Sequence, residues 1–186
     1  MNNPESYVKY HRLQYRDNVR CLAENIGRFK WKTTGSQDVE KKVFHPLDVK
    51  TEEKSTGSKL DTPQNGNNQL DLGRPIRVLD VGSADGRFTS VELRKVLPPN
   101  CEITGCDKSK VMVDHANTHH AGNGVKFELV EIGKPNLPDH FIGVFDHIFA
   151  FFSYHWIPDQ KTAFSQTYDM LTDGGDCLLL MAANSP

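Results

Sequence analysis

IRVLDVGSADGRF, residues 76–88, is the stretch on which the fold turns. Ile76, Val78, Leu79 and Val81 make an apolar run without strict alternation, the pattern of a parallel strand buried on both faces beneath helices. Asp80 interrupts the run. Gly82, Ala84 and Gly86 follow at a spacing of two, which suits a backbone that turns sharply and approaches a ligand, since a side chain there would fill the space the ligand needs. A helix begins directly afterwards. Asp85 is placed to cap it, and Pro98-Pro99 ends it after about Leu97.

The spacing separates two chemistries. A dinucleotide-binding turn is G-x-G-x-x-G, with a diphosphate seated on the helix N-terminus. Here the glycine-rich pattern is Asp80-x-Gly82-x-Ala84-x-Gly86, which resembles the first motif of the class I S-adenosylmethionine-dependent methyltransferases. That resemblance assigns Asp80, Gly82, Ser83, Ala84 and Gly86 to the cofactor, around its methionine and ribose portions. On these residues alone, a glycine-rich strand-to-helix turn without a ligand remains the alternative.

Downstream, strand and helix signals alternate, which predicts an α/β protein with a doubly wound, Rossmann-like parallel sheet. A second strand, CEITGC, runs to Asp107, 21 residues after Gly86. Doubly wound nucleotide-binding folds place an acidic residue there to accept hydrogen bonds from ribose hydroxyls. Ser109 opens a helix that reaches Ala121 and Gly122 closes it. His115 and His119 share one face of that helix at a metal-compatible spacing, but no third ligand lies nearby in sequence, so they are read as surface residues and no metal site is expected. Val125–Val130 is the third strand. It delivers Glu131 and Ile132 to the carboxyl edge of the sheet, where a carboxylate or a backbone N–H can meet the cofactor's base. Residues 145–151 form strand four and lead into Ser153-Tyr154-His155-Trp156 at the same edge, where a substrate would sit. A helix from about Asp159 to Leu171 meets Gly174-Gly175, and CLLLMAA is the fifth strand.

Upstream, Asn3–Gly27 reads as a helix with Val8, Tyr15, Val19, Leu22 and Ile26 on one narrow, aromatic-flanked stripe, and Gly27 as its stop. Such a segment lies over other elements, as a lid or a plain packing helix. Between Trp31 and Arg74 the composition becomes polar and rich in turn residues, without apolar periodicity, which predicts an insertion that forms no packed core. Val43, Phe44 and Leu47 are its few apolar anchors. The expected organisation is therefore a helical lid at 1–30, a polar insertion at 31–74 and a cofactor-binding domain at 75–186.

Of the 186 residues, 37% are hydrophobic and 25% charged, with a formal net charge of −2, a balance that carries no nucleic-acid footprint and no polybasic membrane anchor. No apolar run approaches the roughly 20 residues that span a bilayer, and the first residues lack a signal-peptide core, so a cytoplasmic protein without membrane insertion is expected. Cys21, Cys101, Cys106 and Cys177 include no C-x-x-C pair and are read as free thiols.

VLDVGSADGRFT, GCDKSKVMVDHA and FDHIFAFFSYHWIPDQKTAFSQTYDMLTDGGDCLLL together resemble the insect juvenile hormone acid O-methyltransferase family. The resemblance covers Ile76–Ala182 well and YVKYHRLQYRDNV fairly. It implies methyl transfer from S-adenosylmethionine to the carboxylate of a small lipophilic acid, farnesoic or juvenile hormone acid, with Gln14 and Trp156 beside that carboxylate. It also sets Lys108, after strand two, and Phe149, in strand four, at the cofactor. Ser83, Ala84 and Asp85 depart from the family's usual Cys, Gly and Pro. Class I methyltransferases carry seven strands, so the chain reads as truncated after strand five. A methyltransferase acting on another small acid, or a non-catalytic binding protein of the same fold, are the alternative readings.

Overall fold

The computed structural model describes residues 4, 6–7, 11–29, 31 and 74–182. The polar stretch expected to be an insertion, with Val43, Phe44 and Leu47, lies outside the described residues, as does Val8. The elements are helix α1 (Arg12–Asn25), strand β1 (Ile76–Val81), a helix α2 whose π-helical Phe88–Leu93 runs into α-helical Arg94–Val96, strand β2 (Cys101–Asp107), helix α3 (Lys110–His119), strand β3 (Val125–Leu129), strand β4 (Phe145–Phe151), helix α4 (Gln160–Met170) and strand β5 (Leu171–Leu180). Short 3₁₀ turns form at Ile26–Arg28, Asp139–Phe141 and Tyr154–Trp156.

The five strands make one parallel sheet in the order β3-β2-β1-β4-β5. The chain lays down β1, β2 and β3 outward, then returns to place β4 on the other side of β1. That reversal opens a crevice at the carboxyl ends of β1 and β4, where ligands of doubly wound folds bind.

Alternate residues of each strand feed two cores, one on each face. Ile76, Val78, Ile103, Val125, Phe127, Phe149 and Phe151 pack with Leu22 of α1, Leu93 of α2 and Val113 and Ala116 of α3. Leu79, Val81, Cys106, Ile148 and Ala150 pack with Phe141, Tyr154 and the α4 residues Ala163 and Met170. Both faces of β1 are thus covered, as its apolar run without alternation required.

The N-terminal segment differs from its expected form. A single helix over Asn3–Gly27 is not observed: α1 starts after His11, whose ring stacks on Tyr7 at 4.1 Å and whose Nδ1 contacts the Tyr7 carbonyl at 3.0 Å. At its other end α1 stops at Asn25, whose Nδ2 donates to the Cys21 carbonyl at 2.8 Å, and the chain passes Gly27 as a 3₁₀ turn. Tyr15 of α1 docks on α2, donating to Glu92 Oε1 at 2.7 Å and meeting Phe88 edge to face.

β5 also starts earlier than expected. Leu171 pairs with Phe145, and the next register pair is Asp176 with His147, so Thr172–Gly175 bulge opposite the single residue Asp146. The Asp146 carboxylate fills the space beneath: it takes a two-pronged ion pair from Arg74 at 2.9 and 2.7 Å, the Arg77 N–H at 3.0 Å and the Thr172 hydroxyl at 3.3 Å. His147 pairs through Nδ1 with Asp176 of β5 and lies against the rings of Phe29 and Trp31. All four cysteines are free; Cys101 and Cys106 are buried and Cys177, on β5, is exposed.

Candidate active site

The glycine turn is built by β2. The carbonyl of Cys106 accepts two consecutive N–H groups, Gly82 at 2.7 Å and Ser83 at 2.9 Å, and the Asp107 carboxylate accepts the Ala84 N–H at 3.0 Å through Oδ2. Gly82 stands at φ 79°, a conformation that favours glycine. The reason for its missing side chain differs from the expected one: a Cβ there would overlap the Ser153 side chain, and one at Gly86 would come within 2.6 Å of Ala116 Cβ. Protein, not ligand, occupies those spaces. Ser153 in turn donates to the Val81 carbonyl at 2.7 Å and so locks the end of β4 onto the end of β1.

A cavity of about 700 Å³ lies over this junction. Its floor is Val81, Gly82, Ala84, Cys106 and Asp107; one side is Lys108, Ser109, Met112, Val130, Glu131, Ile132, Gly133 and Lys134; the other is Phe151, Phe152, Ser153, Trp156, Ile157, Pro158 and Asp159. Tyr7, His11, Gln14 and Asn18 complete the wall from the N-terminal segment. An adjoining cavity of about 300 Å³ shares those four residues, Gly82 and Phe151, and is lined further by Asp80, Ser83, Asp85, Arg87, Tyr15 and Phe88.

Most residues expected at the cofactor reach one of these cavities. Gly82, Ala84, Asp107, Lys108, Glu131 and Ile132 line the larger one, and Asp80, Gly82 and Ser83 the smaller. Gln14 and Trp156, expected at the substrate, line the larger cavity together, and Trp156 is 68% exposed. Phe149 is a correction. It shares a face with Phe151 but lies two residues short of the carboxyl end of β4, so its ring sits in the core under α1, stacks on Phe29 at 4.9 Å and is fully buried, while Phe151 at the strand end takes the cavity wall. Gly86 lines neither cavity; it lets the turn close on α3.

Asp80 turns to the same face and meets α2, where the Thr89 hydroxyl donates to its Oδ2 at 2.5 Å. Burial pushes its carboxyl up to about 6, against the lowering effect of the Thr89 bond, and the Asp107 charge adds to the rise. Asp85 Oδ1 accepts from the Arg87 N–H at 3.3 Å where the helical turn begins, as a cap would, yet its carboxylate also faces the smaller cavity. Ser109 precedes α3 without a side-chain cap; its own N–H donates to Asp107 Oδ1 at 2.8 Å instead. Tyr7, read in the sequence only as part of the helix's aromatic flank, is pushed up to about 12 by burial and then by Asp85, Asp107 and Asp80, so its phenol stays neutral. The helical spacing of Tyr7, His11, Gln14 and Asn18, four, three and four, was the available signal for that polar wall.

The site's chemistry fits a cofactor with a base, a ribose and a charged amino-acid end. Apolar Met112, Val130 and Ile132 face the larger cavity beside Asp107, and the smaller one offers two buried carboxyls, Arg87 and the Ser83 hydroxyl, which is buried without a partner. Among the described residues no group of three or more His, Cys, Asp or Glu is arranged to hold a metal ion, and no helix is long and apolar enough to cross a membrane. The rings of His115 and His119 lie 4.4 Å apart and tilted by 46° on α3, and neither lines a cavity.

Residues 79–177 match a family described as a methyltransferase domain. The juvenile hormone acid O-methyltransferase of Bombyx mori is 34% identical over 187 residues, covering 100% of this chain and 52% of that protein. The Drosophila melanogaster protein of the same name is 35% identical over 111 residues, 59% of this chain and 37% of its own length. The chain thus spans about half the length, or less, of these curated relatives. Among solved structures, a putative S-adenosyl-L-methionine-dependent methyltransferase of Methanococcus maripaludis superposes with a TM-score of 0.60 at 16% identity, over 95% of this chain and 61% of that one. The CurJ carbon methyltransferase gives 0.53 at 23% identity, over 63% and 32%. At those identities the likeness is one of fold.

Proposed function

Because the chain belongs to the methyltransferase-domain family, we propose that its two joined cavities hold S-adenosylmethionine and that the reaction served is methyl esterification of a sesquiterpenoid acid such as farnesoic acid. The observation that carries the reading is the meeting of Gln14 and Trp156, from the N-terminal helix and the turn after β4, on the wall of the cavity floored by the glycine turn and Asp107. The relatives named for juvenile hormone acid support the choice of acid.

When bound, the cofactor supplies an electrophilic methyl group. The protein's part is placement. A carboxylate is already ionised at neutral pH and needs no general base. The Gln14 amide and the Trp156 indole N–H are donors suited to orienting it, and Phe151, Phe152 and Ile157 offer apolar surface that strips its water. Asp107 has a double duty: its oxygens hold the Ala84 and Ser109 N–H groups, and the residue lines the cavity, where its carboxylate can accept from the cofactor's ribose.

Calorimetry tests the cofactor and the acid separately. Asp107→Ala is expected to weaken S-adenosylmethionine by about 1.5 to 3 kcal/mol, the scale of a lost charge-assisted bond. Gln14→Ala and Trp156→Ala should leave that affinity nearly unchanged, while farnesoic acid affinity of the S-adenosylhomocysteine-loaded protein falls and turnover drops about ten- to a thousandfold. Equal losses for cofactor and acid would move both residues out of the substrate site.

A further inference from the structure

Both outer walls of the larger cavity are held by side-chain amides of one helix, α4. Gln160 Nε2 donates to the Tyr154 carbonyl at 2.6 Å and to the Ile157 carbonyl at 2.7 Å, so the two protons of a single amide bracket Trp156. Six residues on, the buried Gln166 accepts the Gly133 N–H through Oε1 at 2.7 Å and donates through Nε2 to the Lys134 carbonyl at 2.6 Å. It pairs with that loop as another strand would. The two walls also touch. Gly133 sits at φ 85°, and a Cβ on it would overlap Ile157 Cγ2.

Resting on the reading above, we propose that Gln160 and Gln166 are positioning residues: Gln160 fixes the turn that presents Trp156 to the acid, and Gln166 fixes the loop that carries Glu131 and Ile132 to the cofactor. The chemistry asks for glutamine at both places. Gln160 offers two donors to two carbonyls, and Gln166 one acceptor and one donor to adjacent peptides, which a neutral amide supplies without burying a charge. A methionine of similar length supplies neither. Gln160→Glu is harsher, since it faces two carbonyls with a carboxylate. Other bonds hold the same pieces: Asp159 caps α4 by accepting the Thr162 N–H at 3.0 Å, and the Tyr154 hydroxyl pairs with Thr167. Losing one glutamine therefore loosens its wall while the helix stays seated.

The test uses the full chain in a Trp31→Phe background, where Trp156 is left as the one indole of the two in the sequence. In Gln160→Met and Gln160→Glu, time-resolved anisotropy of Trp156 should show added fast motion without any ligand. Farnesoic acid affinity of the S-adenosylhomocysteine-loaded protein should fall about five- to tenfold, with S-adenosylmethionine affinity within about twofold of the parent. Gln166→Met should do the reverse, weakening S-adenosylmethionine and leaving Trp156 anisotropy at the parent value. Thermal melts establish that each variant is folded. Parental anisotropy in a folded Gln160→Met overturns the proposal, and so does an equal loss of both ligands in either variant. If the parent chain binds neither S-adenosylmethionine nor S-adenosylhomocysteine, the proposed function fails while the anisotropy still decides the role of Gln160.

Discussion

Ala84 adopts φ 49°, in the left-handed region that costs an L side chain about 1 to 2 kcal/mol. The strain is held by its neighbours, because the Ala84 N–H is fixed on Asp107 and the turn before it on the Cys106 carbonyl. Ala84→Gly should relieve it. The gain is reduced by about 0.4 to 1 kcal/mol of added freedom in the unfolded chain, which leaves a net stabilisation below about 1.5 kcal/mol. Gly82→Ala should move the other way by at least about 2 kcal/mol, since strain at φ 79° adds to the overlap with Ser153. Urea unfolding of the two variants decides it, and a shared sign would break the account. Gly82 and Ala84 were legible as a sharp turn after β1, but the reason for Gly82 was not. Its neighbour Ser153 lies far along the chain, and only the sheet brings them together. Phe149 shows a similar limit: being in the right strand does not fix the depth along it, and on the same face it is Phe151, at the strand's end, that reaches the cavity.

At the scale of elements, the strands were readable because each is a short apolar run bounded by turn residues, and burial on both faces gives such runs a single interpretation. Where an end is set by a tertiary partner, the reading slipped. β5 begins at Leu171 because Phe145 is there to pair with it, and the bulge that follows wraps Asp146. The hold of α4 on two loops was invisible, since the peptides that Gln160 and Gln166 bind are recognised by position in space and carry no sequence mark. One element-level consequence concerns the polar segment. Its flanks, Trp31 and Arg74, are anchored on consecutive residues of β4, Trp31 against the His147 ring at 4.5 Å and Arg74 on the Asp146 carboxylate. Replacing residues 35–68 with a short Gly-Ser linker should therefore shift the melting temperature by only a few degrees, because closure entropy changes slowly with loop length. A loss of about 10 degrees or more would show that the segment contributes packing of its own.

For the whole molecule, the buried Asp80 links stability to pH in an uncommon direction. Burial raises its folded-state pKa to about 6, above the ordinary carboxylate range of an unfolded chain, so between about pH 4 and pH 6 the native state binds more protons than the unfolded state. Its contribution is fully present below that window and is lost as pH rises through it, by on the order of 3 kcal/mol for such a shift. Asp80→Asn keeps an oxygen for the Thr89 hydroxyl and removes the charge. The stability difference between variant and parent should therefore grow in the variant's favour from pH 4 to pH 7 in urea unfolding; a flat difference would show that the native fold does not raise the Asp80 pKa. The cysteines carry a last consequence of the sheet's architecture. Burial pushes the thiols of Cys21, Cys101 and Cys106 up, and because the thiolate is what alkylates, they are slow targets. Cys177 is also raised, by burial and then by Asp176, but it is the exposed one of the four and stands on β5, at the outer edge of the sheet. A maleimide dye at mildly alkaline pH therefore enters the protein at one address, and its rate of attachment is a direct gauge of whether anything lies across that edge.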